Sequence, residues 1–283
     1  MKNYLIKLGA ISAIFCGVVL ALILIQAYRI THYSWKIPQE KHIVFMGASH
    51  VARGIDDSNM KSALNFARPS ERYMYTYIKM LHLCEANPQI DTIFLECAHT
   101  DLANDCDYKY FEDNELSGYI ELYWPLFSDD NWSFLSSKKK DALWYVIKGI
   151  ANRKIYSRDS WFTALGGYEP LTGEMDREKV IPQKEVDRKS GHTINYLYLH
   201  KIIDYCNVHG IKLYLMQCPV YHPEYFFDDA YHKKALKQFI EKAEYLDFSQ
   251  WPVEDKEMLD PHHLNEKGAI RFTNELKKLY KIE

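Results

Sequence analysis

The chain opens on an unbroken apolar stretch and then turns to short apolar runs separated by helically spaced ones. Leu8 to Tyr28 carry no charge and are mostly Leu, Ile, Val and Ala. As a helix that stretch is about 31 Å long, enough to cross the hydrocarbon layer of a bilayer. Thr31 to Glu40 form a polar, aromatic linker. Beyond it, His42–Met46 is a short apolar run stopped by Gly47-Ala-Ser49, the pattern of a buried strand meeting a tight turn. Further strands are expected at Ala63–Ala67, Thr92–Cys97, Ile211–Cys218 and Tyr245–Phe248. Helices are expected over Ser70–Ala86, Thr193–His209, Ala230–Ala243 and Asn265–Tyr280. Gly210 suits the left-handed residue that closes a helix, and Pro219 stops the strand before it. Strands alternating with helices predict an α/β fold: a mostly parallel five-stranded sheet, covered on both faces and joined by right-handed crossovers. In such sheets ligands bind beyond the carboxyl ends of the strands.

The apolar stretch sets the expected compartment. Lys2 and Lys7 precede it and Arg29 and Lys36 follow, so the reading is a single-pass anchor with a cytoplasmic N-terminus. A cleaved signal peptide is the rival, but Ile25-Gln26-Ala27-Tyr28 offers no good small-x-small site. Residues 1–30 are therefore the tip and anchor, and 31–283 an extracytoplasmic domain in the cell membrane's outer compartment, the periplasm in a diderm bacterium. Five cysteines fall in that domain, an odd number, and no spacing among them suggests zinc. Cys97 and Cys218 lie in apolar runs and read as buried thiols.

Between residues 103 and 191 the α/β pattern breaks. The stretch is rich in Tyr, Phe and Trp, carries Lys138-Lys-Lys140, and is too apolar for a disordered linker. It reads as an insertion or lid, whose rings either pack its own small core or stack sugars. Hydrophobic residues make up 47% of the chain, so a packed core is feasible, and a net charge of −3 leaves no footprint for nucleic acid.

Two short blocks carry the candidate chemistry. Ser49 stands where the first strand ends, in Phe45-Met-Gly-Ala-Ser-His-Val-Ala-Arg-Gly-Ile55. There its hydroxyl would project into the crevice with its own N–H free for an oxyanion; the plainer reading is a helix cap. Asp260 and His263 stand three residues apart in Leu259-Asp-Pro-His-His-Leu-Asn265. On a tight turn the carboxylate can bind imidazole Nδ1, leaving Nε2 to take a proton from serine. His262 is the competing base. His50 lines the cleft or caps a helix, and Arg53 and Arg68 are candidate grips for an anionic polymer. A metal site from His50, His99, His262 and His263 lacks the expected ligand spacing, so neither metal nor cofactor is expected.

With those residues in place, the chain resembles the SGNH/GDSL-type hydrolases, which have a flavodoxin-like three-layer fold. Gly47-Ala-Ser49 and Asp260-Pro-His-His263-Leu-Asn-Glu-Lys-Gly268 carry the resemblance, over roughly residues 42–102 and 192–280. Gly47 to Asp56 looks most like a membrane-anchored branch associated with O-acylation of cell-envelope polymers, often beside a membrane-bound O-acyltransferase. The resemblance implies Ser49 as nucleophile, His263 as general base and Asp260 as its orienter. It implies an envelope glycan or other acylated substrate. Two family features are missing. The loop Ala67-Arg-Pro-Ser70 lacks the oxyanion glycine, and Cys97-Ala-His-Thr-Asp101 lacks the asparagine. His99, Thr100, Ser70, Arg68 and His50 are the substitutes on offer. Three functions follow: a serine acyltransferase or esterase on an envelope glycan, a non-catalytic accessory protein that binds polymer or an acyltransferase, and a secreted lipid esterase.

Overall fold

A computed structural model describes residues 2–102, 106–111, 113–136, 139–151, 157–176, 178, 193–221 and 229–283. Lys138 and the 179–191 end of the expected insertion lie outside the described residues. Along the chain the elements are α1 (Lys2–His32), β1 (Ile43–Met46), α2 (Ser49–Gly54), β2 (Ala63–Asn65), α3 (Tyr73–Ala86) and β3 (Thr92–Glu96). Then come α4 (Asp113–Tyr123), α5 (Asp129–Phe134), α6 (Lys139–Ala151), α7 (Arg158–Ala164), α8 (Thr193–His209) and β4 (Lys212–Gln217). The chain closes with α9 (Asp229–Ile240), β5 (Glu244–Asp247), β6 (Met258–Asp260), β7 (His263–Leu264) and α10 (Glu266–Tyr280).

The strands β1 to β5 form one sheet in the order β2-β1-β3-β4-β5, and every pairing is parallel. This is the flavodoxin-like order, which reverses direction at β1 and β3. The α/β class expected from the alternating pattern is the one observed. Parallel strands buried on both sides read as continuous apolar runs, and all four residues of β1 are buried. Alternate residues face opposite layers. Phe45, Phe94 and Tyr214 are in register and stack, with ring centroids 4.8 and 4.7 Å apart. They share a core with Val51 and Ala52 of α2, Ile55 just after it, and Phe272 and Leu276 of α10. α3 and α8 pack on each other as a second helical pair, and α8 also contacts β4.

The chain divides into two compact units. The sheet unit comprises Trp35–Tyr110 and Thr163–Glu283. The other, all helical among its described residues, comprises Met1–Ser34 and Phe111–Phe162. In it, α1 packs on α6 and on the short turn Trp124–Leu126. Several of the insertion's rings fill this unit's own core: Tyr119, Tyr123 and Trp161 are buried, and Trp161 Nε1 donates to the Leu122 carbonyl at 3.2 Å. The insertion expected over 103–191 thus leaves the sheet unit only from Phe111 to Phe162. Residues 163–176 return to it as a strap. Gly167 donates to Ala67 O, Glu169 to Ala52 O and Met175 to Met258 O, at 2.9, 2.8 and 2.8 Å.

Three local departures from the expected elements have simple causes. The helix expected from Ser70 starts at Tyr73, because Ser70 has φ +61° and Arg72 is extended. α2 was expected only as a helix for Ser49 or His50 to cap, without bounds, and the small antiparallel β6–β7 pair was not foreseen. Six and five residues respectively are too few to show a period.

A fully buried ion pair locks the loop after β2. Lys79 Nζ meets Glu71 Oε1 at 2.9 Å and donates to the carbonyls of Leu165, at 3.0 Å, and Phe66. Burial pushes the Lys79 ammonium down despite Glu71 beside it. Lys79→Met would leave Glu71 buried without its cation, and is expected to destabilise the sheet unit by about 3–5 kcal/mol. Urea denaturation checks this. Lys79→Met/Glu71→Leu should recover the part of the loss due to the unpaired charge, but not the part due to the Leu165 and Phe66 carbonyls that lose the Lys79 donor.

Candidate active site

The site is built where β1 ends. Gly47 takes φ +132°, and a Cβ there would collide with Cβ of Glu96 on the neighbouring strand. Only glycine lets the chain turn here. The turn places Ser49 as the first residue of α2. Its N–H therefore has no intrahelical acceptor. Asn65 fastens α2 to β2: Nδ2 donates to the carbonyls of Val51 and Ile55 at 3.0 and 2.7 Å.

Asp260 and His263 come from the other end of the chain, on the β6–β7 hairpin. Asn265 caps the helix that follows, accepting from Gly268 N–H at 3.1 Å and donating to the carbonyls of Gly173, Lys256 and Met258. The hairpin is thereby tied to both the strap and α10. Tyr221 N–H donates to Pro261 O at 2.9 Å from the far side.

These elements bring the three expected residues together. His263 Nε2 lies 2.9 Å from Ser49 Oγ. His263 Nδ1 lies 3.0 and 2.9 Å from the two oxygens of Asp260. Asp260 Oδ1 also accepts the N–H groups of His262 and His263, at 2.8 and 3.0 Å. Burial pushes the Asp260 carboxyl up, but the hydrogen bonds and charge of His263 and the N–H of His262 outweigh it. The acid is held at about 2. It is an anion at neutral pH, so His263 carries its proton on Nδ1 and offers a lone pair at Nε2 to the serine. Among the described residues no hydrogen bond joins the competing base, His262, to Ser49. Burial, then the neighbouring His50, pull His262 down to about 4.

Sequence reasoning missed Glu96. It is the last residue of β3 and fully buried, and its one carboxylate organises the turn that carries Ser49. Oε2 accepts the N–H groups of Ala48 and Val51 at 2.8 and 3.1 Å, and Oε1 meets His50 Nδ1 at 2.6 Å. Burial opposes the charge of both groups. Their contact still holds Glu96 below the usual carboxylate range and His50 above the usual imidazole range. The His50 ring lies over His263, centroids 5.3 Å apart and planes 23° apart. His50 is thus a buried wall of the site, paired to Glu96, rather than a helix cap. The one available signal was a charged residue inside the apolar run Thr92-Ile-Phe-Leu-Glu-Cys97.

The candidate oxyanion donors divide. His99 gives both its N–H and Nδ1 to Gln217 Oε1, at 3.0 and 2.9 Å. Gln217 Nε2 donates to Cys218 O, which fixes the amide's orientation. A neutral His99 then has its proton on Nδ1 and only a lone pair at Nε2, so it cannot donate to an oxyanion. Ala98 N–H is taken by Asp101, whose carboxyl burial and nearby Glu96 push up to about 6. Arg68 gives its N–H to Gly47 O at 3.0 Å. Ser70 is exposed and Thr100 half-buried, and among the described residues no hydrogen bond joins either to Ser49. Ser49's own N–H is the donor best placed by the fold. Cys97 and Cys218 are buried free thiols, as expected. Among the described residues no group of His, Cys, Asp and Glu side chains could hold a metal ion.

No family model matches the sequence, and no curated protein matches it. Remote likenesses are found among solved structures. One is a candidate acylhydrolase from Bacteroides fragilis, 11% identical over 90% of this chain and 93% of that one, with a TM-score of 0.40. Another is a GDSL-like lipase from Bacteroides thetaiotaomicron, 10% identical over 92% and 97%, with a TM-score of 0.40. A third, a candidate platelet activating factor from Streptococcus pneumonia, is 13% identical over 97% of this chain and 98% of that one, again with a TM-score of 0.40. Likenesses this remote carry no weight for the chemistry, which rests on the side chains themselves.

Proposed function

We propose that this chain is a membrane-anchored serine esterase or O-acyltransferase of the SGNH/GDSL type, acting on O-acyl groups of a cell-envelope glycan. The observation that carries the reading is the unbroken chain of contacts from Asp260 through His263 to Ser49, at 2.9 Å each, on a turn beyond the end of a parallel strand. Ser49 Oγ attacks the ester carbonyl while His263 Nε2 takes its proton. The oxyanion forms beside the Ser49 N–H. Collapse breaks the ester C–O bond, His263 returns the proton to the leaving alcohol, and the acyl group stays on Ser49. Water or a sugar hydroxyl then attacks, again through His263, and frees the serine. His50 and Glu96 hold the turn and touch no reacting atom in this scheme.

The missing glycine and asparagine donors slow attack by water and by a sugar hydroxyl alike, so the site is a slow one whichever acceptor it uses. Losing one oxyanion donor costs about 3–4 kcal/mol of transition-state stabilisation. Such a site turns over slowly on simple esters and depends on a bound acceptor or dedicated donor. A membrane-bound O-acyltransferase is the proposed partner, and α1 the anchor that keeps the two together with the N-terminus in the cytoplasm. The test is to incubate the full chain in detergent with an aryl acetate, with and without O-deacylated envelope glycan. Ester formed on the glycan, with turnover rising as glycan is added, supports transfer. Free acetate alone, at a rate indifferent to glycan, would restrict the reading to an esterase. No acyl-enzyme and no product under either condition would turn it into a binding protein.

A further inference from the structure

One surface lies outside the catalytic account. On α6 the residues Ala142 and Val146 are buried, and Gly149 sits against Glu121 of α4, where a Cβ would come within 3.0 Å of its Cγ. These positions mark the inward stripe of the helix. The outward side presents Trp144, 60% exposed, beside Leu143, 58% exposed. Lys140 and Lys148 are also exposed, one turn before and one turn after Trp144 on the same side. A water-facing helix of a soluble protein has little reason to display a tryptophan and a leucine together.

The neighbouring element suggests what covers them. α1 packs on α6 within the same compact unit. Along α1 the side chains are exposed up to Val18; from Val19 one side becomes covered, through half-buried Leu22 and Ile23 to buried Gln26 and Ile30. That covered side overlaps roughly the last three turns of the uncharged run, about 15 Å of helix. The opposite side, with Leu20, Leu24, Ile25 and Tyr28, stays exposed. If α1 spans the bilayer, partners packed on these turns lie between the outer half of the hydrocarbon and its headgroup boundary. That boundary is the level at which tryptophan concentrates, and at which lysine stems extend toward phosphates.

We propose that α6 is an interfacial membrane element. Its Leu143–Trp144 side enters the headgroup–acyl boundary of the leaflet through which α1 emerges, and Lys140 and Lys148 meet anionic phosphates. The proposal rests on the anchor reading of α1 and is independent of the esterase reading. It gives the chain a second contact with lipid, fixing how the helical unit lies on the surface.

The test uses the full chain in vesicles of phosphatidylcholine and phosphatidylglycerol, with lipids brominated near the headgroup end of their chains. Emission is compared with that of Trp144→Phe, a mild change at an exposed site. The Trp144 component obtained by subtraction is expected to fall at least about twofold in brominated vesicles. The quenching should weaken without phosphatidylglycerol, and Lys140→Gln/Lys148→Gln should abolish that dependence. A Trp144 component that bromine leaves untouched, in a chain that resists carbonate extraction, would overturn the proposal and spare the anchor. Release by carbonate would overturn the anchor reading, and the proposal with it.

Discussion

Ser49→Ala is expected to lower kcat for ester turnover by about four to six orders of magnitude, to the level left by binding and the oxyanion site alone. The side chain is half-buried at the head of α2, and its one described partner is His263 Nε2 at 2.9 Å. Removing it costs about one hydrogen bond of stability, on the order of 1 kcal/mol. The turn itself is held by Glu96 on the N–H groups of Ala48 and Val51, which the substitution leaves in place. The variant should therefore fold and bind substrate with little change in KM. His263→Ala should cost about as much as Ser49→Ala, and the double variant no more than either. Residues that work as one unit are grossly non-additive. Progress curves on an aryl acetate measure all three. Losses that simply add would mean that serine and histidine do not act in one step.

Asp260→Asn is expected to lower kcat by about four orders of magnitude while leaving the fold intact. The reason lies in which oxygen does what. Oδ1 accepts two backbone N–H groups, so the amide oxygen of asparagine must take that place. The NH2 then falls where Oδ2 now lies, 2.9 Å from His263 Nδ1. A donor facing Nδ1 forces the proton onto Nε2, which can no longer take one from Ser49. The pH dependence separates the two proteins. With the Asp260 acid held at about 2, the carboxylate persists throughout the neutral and mildly acidic range. Its folded value is depressed below the unfolded value of about 3.9, so its contribution to stability is present above that pH and is lost only as pH falls towards 2. No acidic limb from Asp260 should appear above about pH 4 in the wild-type rate profile. In Asp260→Asn the rate should rise at alkaline pH, where hydroxide can substitute for the lost base. A variant that kept most of its activity at neutral pH would remove Asp260 from the mechanism.

What could be read from the chain was what is local. Asp260 and His263 are three residues apart, so one turn brings them together whatever the rest of the molecule does. The strands announced themselves because a parallel sheet buries both faces, leaving apolar runs such as Ile43–Met46. Ser49 was recognisable from its place after such a run, and Gly47 from the turn it must make. What could not be read was what depends on distant pairing. Glu96 was one residue inside an expected strand, with no role assigned, and His50 a neighbour of the serine. Their 2.6 Å contact spans 46 positions and exists only because β1 and β3 lie side by side. The strap at 163–176 was hidden for the same reason. Its glycines mark turns, but nothing in their spacing says that Gly166 must lie against the carbonyls of Phe66 and Ala67, where a Cβ would meet them at 2.6 Å. Trp144 was one aromatic among many until burial separated it from Trp161.

The most direct test of the central claim is covalent. The full chain in detergent is treated with a fluorophosphonate, and the adduct is located by mass spectrometry after proteolysis. The account predicts one equivalent of label on the peptide carrying Ser49, lost in Ser49→Ala and strongly slowed in His263→Ala. Label on another serine, or label that persists in Ser49→Ala, would contradict it.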